Sequence, residues 1–140
     1  NPGHTVAKLL NPFDAHAAQG VRCVQVVNHT HPEYAHSLTD YLQLAQAHAL
    51  LMRGTEGEPV ADARRQPRFD VFLNGQRHTG LSRAPEEGVL VELPDLPDGN
   101  GAAVTAAYLN DVMRGSKPLP ASIAAQADCL VESLNTLAAP

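Results

Sequence analysis

The stretch of this 140-residue sequence richest in chemistry is Arg53-Gly54-Thr55-Glu56-Gly57-Glu58-Pro59. Two glycines let a backbone approach a ligand closely, and Thr55 offers a hydroxyl. Glu56 and Glu58, two positions apart, suit a hard cation such as magnesium that in turn holds phosphate. Arg53 can contact phosphate directly through its planar fork of donors. Asp62, a little further on, can join such a site or stay solvated. By composition alone the stretch is also an ordinary acidic, glycine-rich turn.

Seven histidines form the second concentration, and His29, His31, His36 and the more distant His48 fall around one turn and helix. Their spacing fits no structural zinc pattern. The plainer reading has Thr30 or His31 capping a helix while His36 and His48 lie on its solvent face. Arg64, Arg65 and Arg68 form a short cationic cluster that suits phosphate, an acidic partner or simply water. No dinucleotide fingerprint, P-loop or nucleophile elbow occurs, which removes several large enzyme classes.

These residues need elements to hold them. Residues 4–10 read as a short helix stopped by Asn11-Pro12, because the residue before proline is pushed out of the α region. Residues 21–27 (VRCVQVV) are rich in β-branched side chains and suit a strand covered on both faces. Pro32 and Glu33 open a helix carrying Tyr34, Leu38, Tyr41, Leu42 and Ala45 at helical spacing, expected to reach about His48. Residues 49–52 (ALLM) then give a second strand, so strand, helix and strand form a βαβ unit. The loop 54–66 follows at the carboxyl end of that strand, where open α/β sheets place ligands.

Residues 69–73 alternate with period two and run into Asn74-Gly75, a hairpin signal, with residues 76–81 returning. Residues 88–93 (GVLVEL) are a further strand candidate, and the middle third reads as antiparallel. Residues 102–114 read as a helix with Val104, Tyr108, Leu109 and Val112 inward and Gly115 ending it. Residues 119–137 give a last helix with Ile123, Leu130, Val131, Leu134 and Leu137 on one face.

Composition bounds the whole. The chain is 44% apolar and 18% charged, about one ordinary domain's worth of residues. Ten Lys and Arg against fifteen Asp and Glu give a net charge of −5, which disfavours this stretch as a self-sufficient nucleic-acid binder. Nothing reaches the roughly 18 apolar residues of a membrane span, and no signal-peptide pattern opens the chain, so a cytoplasmic protein without a membrane partner is expected. Cys23 and Cys129 are far apart and read as reduced core residues. The opening Asn1-Pro2-Gly3, with no initiator Met, reads like the middle of something longer.

The strings NPGHTVAKLLNPFDA, HPEY, RGTEGEPVAD and AAVTAAYLNDVMRGSKPLPASIAAQ together resemble the carboxyl-terminal part of anthranilate phosphoribosyltransferase-like proteins, glycosyltransferase family 3. The resemblance covers essentially all 140 residues. It is nearest to a divergent branch that shares the NPF, HPEY and RGTEGEP run and is reported to bind nucleic acid. It implies an α/β fold: residues 1–140 would be the carboxyl-terminal part of a phosphoribosyltransferase- or nucleoside-phosphorylase-like domain, with a mixed sheet flanked by helices. The helical amino-terminal domain and the phosphoribosyl-binding half would lie outside this chain, which alone is expected to be inactive.

The parent reaction transfers a phosphoribosyl group from phosphoribosyl pyrophosphate to an aromatic amine, with magnesium, in a homodimer. Carried over by position, Asn11 closes the family's Gly-Pro-Leu-x-Asn-Pro segment, where this chain has Ala7-Lys8 in place of Gly-Pro. Arg53-Gly54 stand where the family has His-Gly, and with Thr55 they are candidate phosphate-binding residues. Glu56 and Glu58 are candidate magnesium ligands, although the family's adjacent Asp-Glu pair is here split by Gly57. The alternative that the resemblance implies is a non-catalytic relative holding single-stranded DNA or RNA.

Overall fold

The computed structural model describes residues 2–13, 19–86 and 94–137. Its elements are α1 (Pro2–Ala7), β1 (Gln25–His29), α2 (Glu33–Leu44), β2 (Ala49–Arg53), β3 (Phe69–Leu73), β4 (Gln76–Arg77), α3 (Ala102–Met113) and α4 (Ala121–Thr136). The strands form one mixed sheet in the order β1-β2-β3-β4. β1 and β2 run parallel, with His29 opposite Arg53. The β2–β3 and β3–β4 pairs are antiparallel. The chain is therefore α/β, a four-stranded mixed sheet flanked by helices.

Alternation along each strand divides the core in two. Val27, Ala49, Leu51 and Phe72 point to one face and meet Leu38 and Leu42 of α2. Leu50, Met52, Phe69 and Val71 point to the other and meet Ala61, Leu81 and Cys129, the last on α4. β2, buried along Ala49–Met52, is the axis of both clusters. The same alternation puts His29, Arg53 and Asp70 on the α2 face, beyond the apolar part of the sheet.

Several expected boundaries move. β1 begins at Gln25 rather than Val21, and Val21, Arg22 and Cys23 before it line a cleft. α2 stops at Leu44, short of His48: Ala47 N–H donates to Leu42 O (3.0 Å) and Gln46 N–H to Gln43 O (3.1 Å), with Gln46 at φ 49°. That is a Schellman closure with glutamine in the left-handed position glycine usually takes, so no glycine announces it. Neither Thr30 nor His31 caps α2, whose amino terminus has no side-chain cap. At the hairpin, Asn74 and Gly75 both have positive φ, the type I′ geometry their sequence predicts. The return strand is only Gln76–Arg77. The expected strand at 88–93 lies outside the described residues.

Two helices meet their expected inward faces only in part: Tyr108 and Val112 of α3, and Ile123, Leu130 and Leu134 of α4, are half-buried. No residue of α3 is buried, and Val104 and Leu109 are exposed. Its end does form as expected, with Gly115 at φ 74° closing onto Val112 O (3.0 Å). α4 buries Ser122, Gln126, Cys129 and Ser133, while Val131 is 56% exposed. Ser122 and Gln126 hydrogen-bond to the loop after β2, while Cys129, with Ala125 and Leu130, packs into the core. Among the described residues no helix is long and apolar enough to cross a membrane.

Candidate functional site at the carboxyl end of the parallel strands

The loop after β2 is built before it is a site. Glu56 (φ 51°) and Gly57 (φ 86°) form the middle of a tight turn in which Thr55 and Glu58 pair. Thr55 N–H donates to Glu58 O (3.2 Å) and Val60 O (3.1 Å), and its hydroxyl donates to Val60 O (3.0 Å). Gly54 N–H donates to His29 O (3.0 Å), continuing the parallel ladder one residue past β2. Side chains from both flanks reach the same loop. Asn28 Nδ2 donates to Gly57 O (2.8 Å), and Lys8 Nζ lies 3.4 Å from the same oxygen. Gln126 accepts from Ala61 N–H (2.8 Å) and donates to Pro59 O (2.9 Å), while Ser122 donates to Asp62 O (2.6 Å).

Arg53, Gly54, Thr55, Glu56, Asp62, Arg65 and Pro67 line a cleft of about 200 Å³ beside this loop. Four of the residues singled out in the sequence, Arg53, Gly54, Thr55 and Glu56, therefore meet in one place. Their roles differ from the expectation, since the N–H groups of Gly54 and Thr55 and the Thr55 hydroxyl are already engaged within the loop. The cationic residues among those lining the cleft are Arg53 and Arg65. Arg65 stands 3.9 Å from the Asp62 carboxylate, whose other oxygen accepts from Arg64 N–H (2.9 Å). Glu58 does not line the cleft.

Magnesium, with phosphate supplying most of its ligands, needs only one or two protein carboxylates. The acidic residues that line this cleft are Glu56 and Asp62. Among the described residues no three of His, Cys, Asp or Glu stand close enough to hold a metal ion by themselves.

Arg53, Arg65 and Pro67 also line a wider trough of about 390 Å³ on the α2 face, with His29, Pro32, Ala35, Arg68, Asp70 and Glu86 among its walls. The cleft and the trough thus share a wall. His29 Nδ1 lies 3.1 Å from His31 O, a carbonyl that can only accept, so Nδ1 carries the proton and Nε2 keeps a lone pair. Burial pushes the His29 pKa below the usual imidazole value. Nearby Arg53 adds to this, while the His31 carbonyl and Asp70 oppose it.

Asn11 lies elsewhere. With Cys23, Gln25, Tyr41 and His48 it lines a cleft of about 440 Å³ at the amino-terminal ends of β1 and β2. The five-residue strands separate it from the Arg53 cleft by roughly 13 Å. The other histidines scatter: His36 is exposed, and His48 Nδ1 accepts from Asn74 N–H (3.1 Å), tying the hairpin to the start of β2. Sequence reasoning missed Asn28, Ser122 and Gln126. For Asn28 the signal was a polar residue following an apolar strand run; Ser122 and Gln126 lie on a mostly polar helix face that carried no such mark.

No protein-family model matches the chain. Over 137 residues it is 32% identical to an Escherichia coli strain K12 protein described as uncharacterized protein YbiB, a match that takes in 92% of this chain. The chain spans 38% of that relative's length.

Proposed function

We propose that this chain is the carboxyl-terminal part of an anthranilate phosphoribosyltransferase-like glycosyltransferase, and that the cleft after β2 holds the phosphate-bearing end of phosphoribosyl pyrophosphate. The observation that carries the reading is the convergence of Arg53 and Arg65 with Glu56 and Asp62 in one cleft at the carboxyl end of parallel strands. Arg53, exposed and outside any ion pair among the described residues, offers two parallel donors to a phosphate. Arg65 adds a second positive charge where charge develops on departing pyrophosphate. Glu56 and Asp62 would hold magnesium, which when bound neutralises the leaving group.

The adjoining trough takes the aromatic amine against Pro32, Ala35 and Pro67. As the amine nitrogen bonds to the sugar carbon and pyrophosphate leaves, the amine proton passes to His29 Nε2, which burial keeps unprotonated near neutral pH. The test is consumption of phosphoribosyl pyrophosphate with anthranilate by a protein of the relative's full length. Turnover that is magnesium-dependent and lost in Glu56→Ala supports the proposal. No turnover with any aromatic amine contradicts it.

A second reading, single-stranded nucleic-acid binding, draws on the exposure of Arg53, Arg64, Arg65 and Arg68 at one end of the sheet. It predicts retardation of oligonucleotides that weakens steeply with salt. Salt-independent or absent retardation removes it.

A further inference from the structure

We infer that Asn28, Ser122 and Gln126 are positioning residues: through them β1 and α4 set the shape of the Arg53 cleft, which no α4 side chain lines. Three of the buried polar residues, 6%, 3% and 8% exposed, direct their side-chain hydrogen bonds onto loop 57–62. Burying an amide or hydroxyl costs free energy unless it is paired, and an apolar side chain would pack the same space without that cost. The polar choice at all three positions therefore follows from what the loop backbone requires.

The grip is nearly continuous. Gly57 O is held by Asn28, Pro59 O and Ala61 N–H by Gln126, and Asp62 O by Ser122. Glu58 O and Val60 O are held by Thr55 within the loop. The two carboxylates that line the cleft, Glu56 and Asp62, bracket this run. Asp62 in turn orders the segment that carries Arg65, accepting from Arg64 N–H. Releasing Gln126 frees the middle of the run, and with it the separation of Glu56 from Asp62 and Arg65.

Ser133 supplies the contrast. It is fully buried on the same helix, but its hydroxyl donates to Cys129 O (2.7 Å) in its own helix and, among the described residues, makes no hydrogen bond to the loop.

The affinity arm of the test rests on the phosphate reading above; the exchange arm does not. Amide hydrogen exchange is measured on the wild-type chain, Gln126→Met, Ser122→Ala and Ser133→Ala, together with calorimetric titration of inorganic pyrophosphate. Gln126→Met should raise exchange at the amides of residues 55–62 about tenfold or more while β2 amides stay protected, and should weaken pyrophosphate about 5- to 10-fold. Ser122→Ala, the milder variant, should do the same to a smaller extent, and Ser133→Ala should do neither. Unchanged loop exchange in both Gln126→Met and Ser122→Ala overturns the inference, as does faster loop exchange with unchanged affinity. If the wild-type chain takes up no pyrophosphate, the proposed function falls and the exchange data alone decide whether these residues position the loop.

Discussion

Gly54 is the position where the site's architecture is most exposed to a single methyl group. A Cβ built there would lie 2.5 Å from Asn28 Nδ2 and closer still to the Glu58 carbonyl oxygen. Neither can yield freely. Asn28 is the donor to Gly57 O (2.8 Å), and Glu58 O accepts from Thr55 N–H (3.2 Å). Gly54→Ala therefore forces the loop off β1 and breaks the Asn28 bond. Overpacking of this kind costs about 1–3 kcal/mol, and the lost buried hydrogen bond about 1 more.

The expected loss is about 2–4 kcal/mol, read as a shift of the urea midpoint and as a fall in Tm of roughly 5–15 °C. Asn28→Ala alone should cost about 1–3 kcal/mol, because Gly57 O loses its buried donor. In the Gly54→Ala background it should cost much less, since the bond is already gone, so the two substitutions couple in a double-mutant cycle. A Gly54→Ala variant within about 0.5 kcal/mol of wild type, or strict additivity with Asn28→Ala, would refute the reasoning.

Further outcomes follow from the core and the titrating groups. Leu42, with none of its surface exposed, packs α2 onto the sheet, and Leu42→Ala should cost about 2–5 kcal/mol in urea unfolding. His29 and His48 both have pKa values lowered by burial, so the unfolded chain binds their protons more readily. Their contribution is full above pH 6.5 and is lost as pH falls below it, so the urea midpoint should drop between pH 7.5 and pH 5.5, and less so in His48→Asn. Cys129 is fully buried and its thiol pKa is raised by that burial, whereas Cys23 is half-buried. A thiol reagent at neutral pH should titrate one sulfhydryl in the native chain and two in urea.

The sequence was most legible where local chemistry and tertiary contacts agree. The run 49–52 and the pattern at 69–73 sit within a residue of β2 and β3, because β-branched and apolar residues bounded by turn signals leave few alternatives. Asn74-Gly75 named its own turn. α2 overran because Gln46 takes the left-handed position without any sequence mark. The face of α4 was read only in part: Leu130 packs against the core as expected, while Val131 is exposed. Apolar periodicity pointed to Val131, but the helix is held by Ser122 and Gln126, whose partners are backbone atoms some 60 residues away.

The site divides the same way. Arg53 to Glu56 were found because residue type and position after a strand both mark them. Asn11 shares a motif with them by resemblance yet sits at the opposite end of the sheet. Thr55 shows the limit of reading function from a side chain: its hydroxyl closes the turn instead of facing a ligand.

The most direct test of the account is calorimetric titration of phosphoribosyl pyrophosphate into a protein of the relative's full length, as wild type, as Arg53→Ala and as Arg22→Ala. Arg22 lies at the other end of the sheet, donating to Leu134 O (2.9 Å). Removing a charge-assisted phosphate contact is worth about 1.5–3 kcal/mol, so Arg53→Ala should weaken binding roughly 10- to 100-fold while Arg22→Ala leaves it unchanged. Equal weakening by both substitutions, or wild-type affinity in Arg53→Ala, would place the phosphate site somewhere other than the carboxyl end of β2.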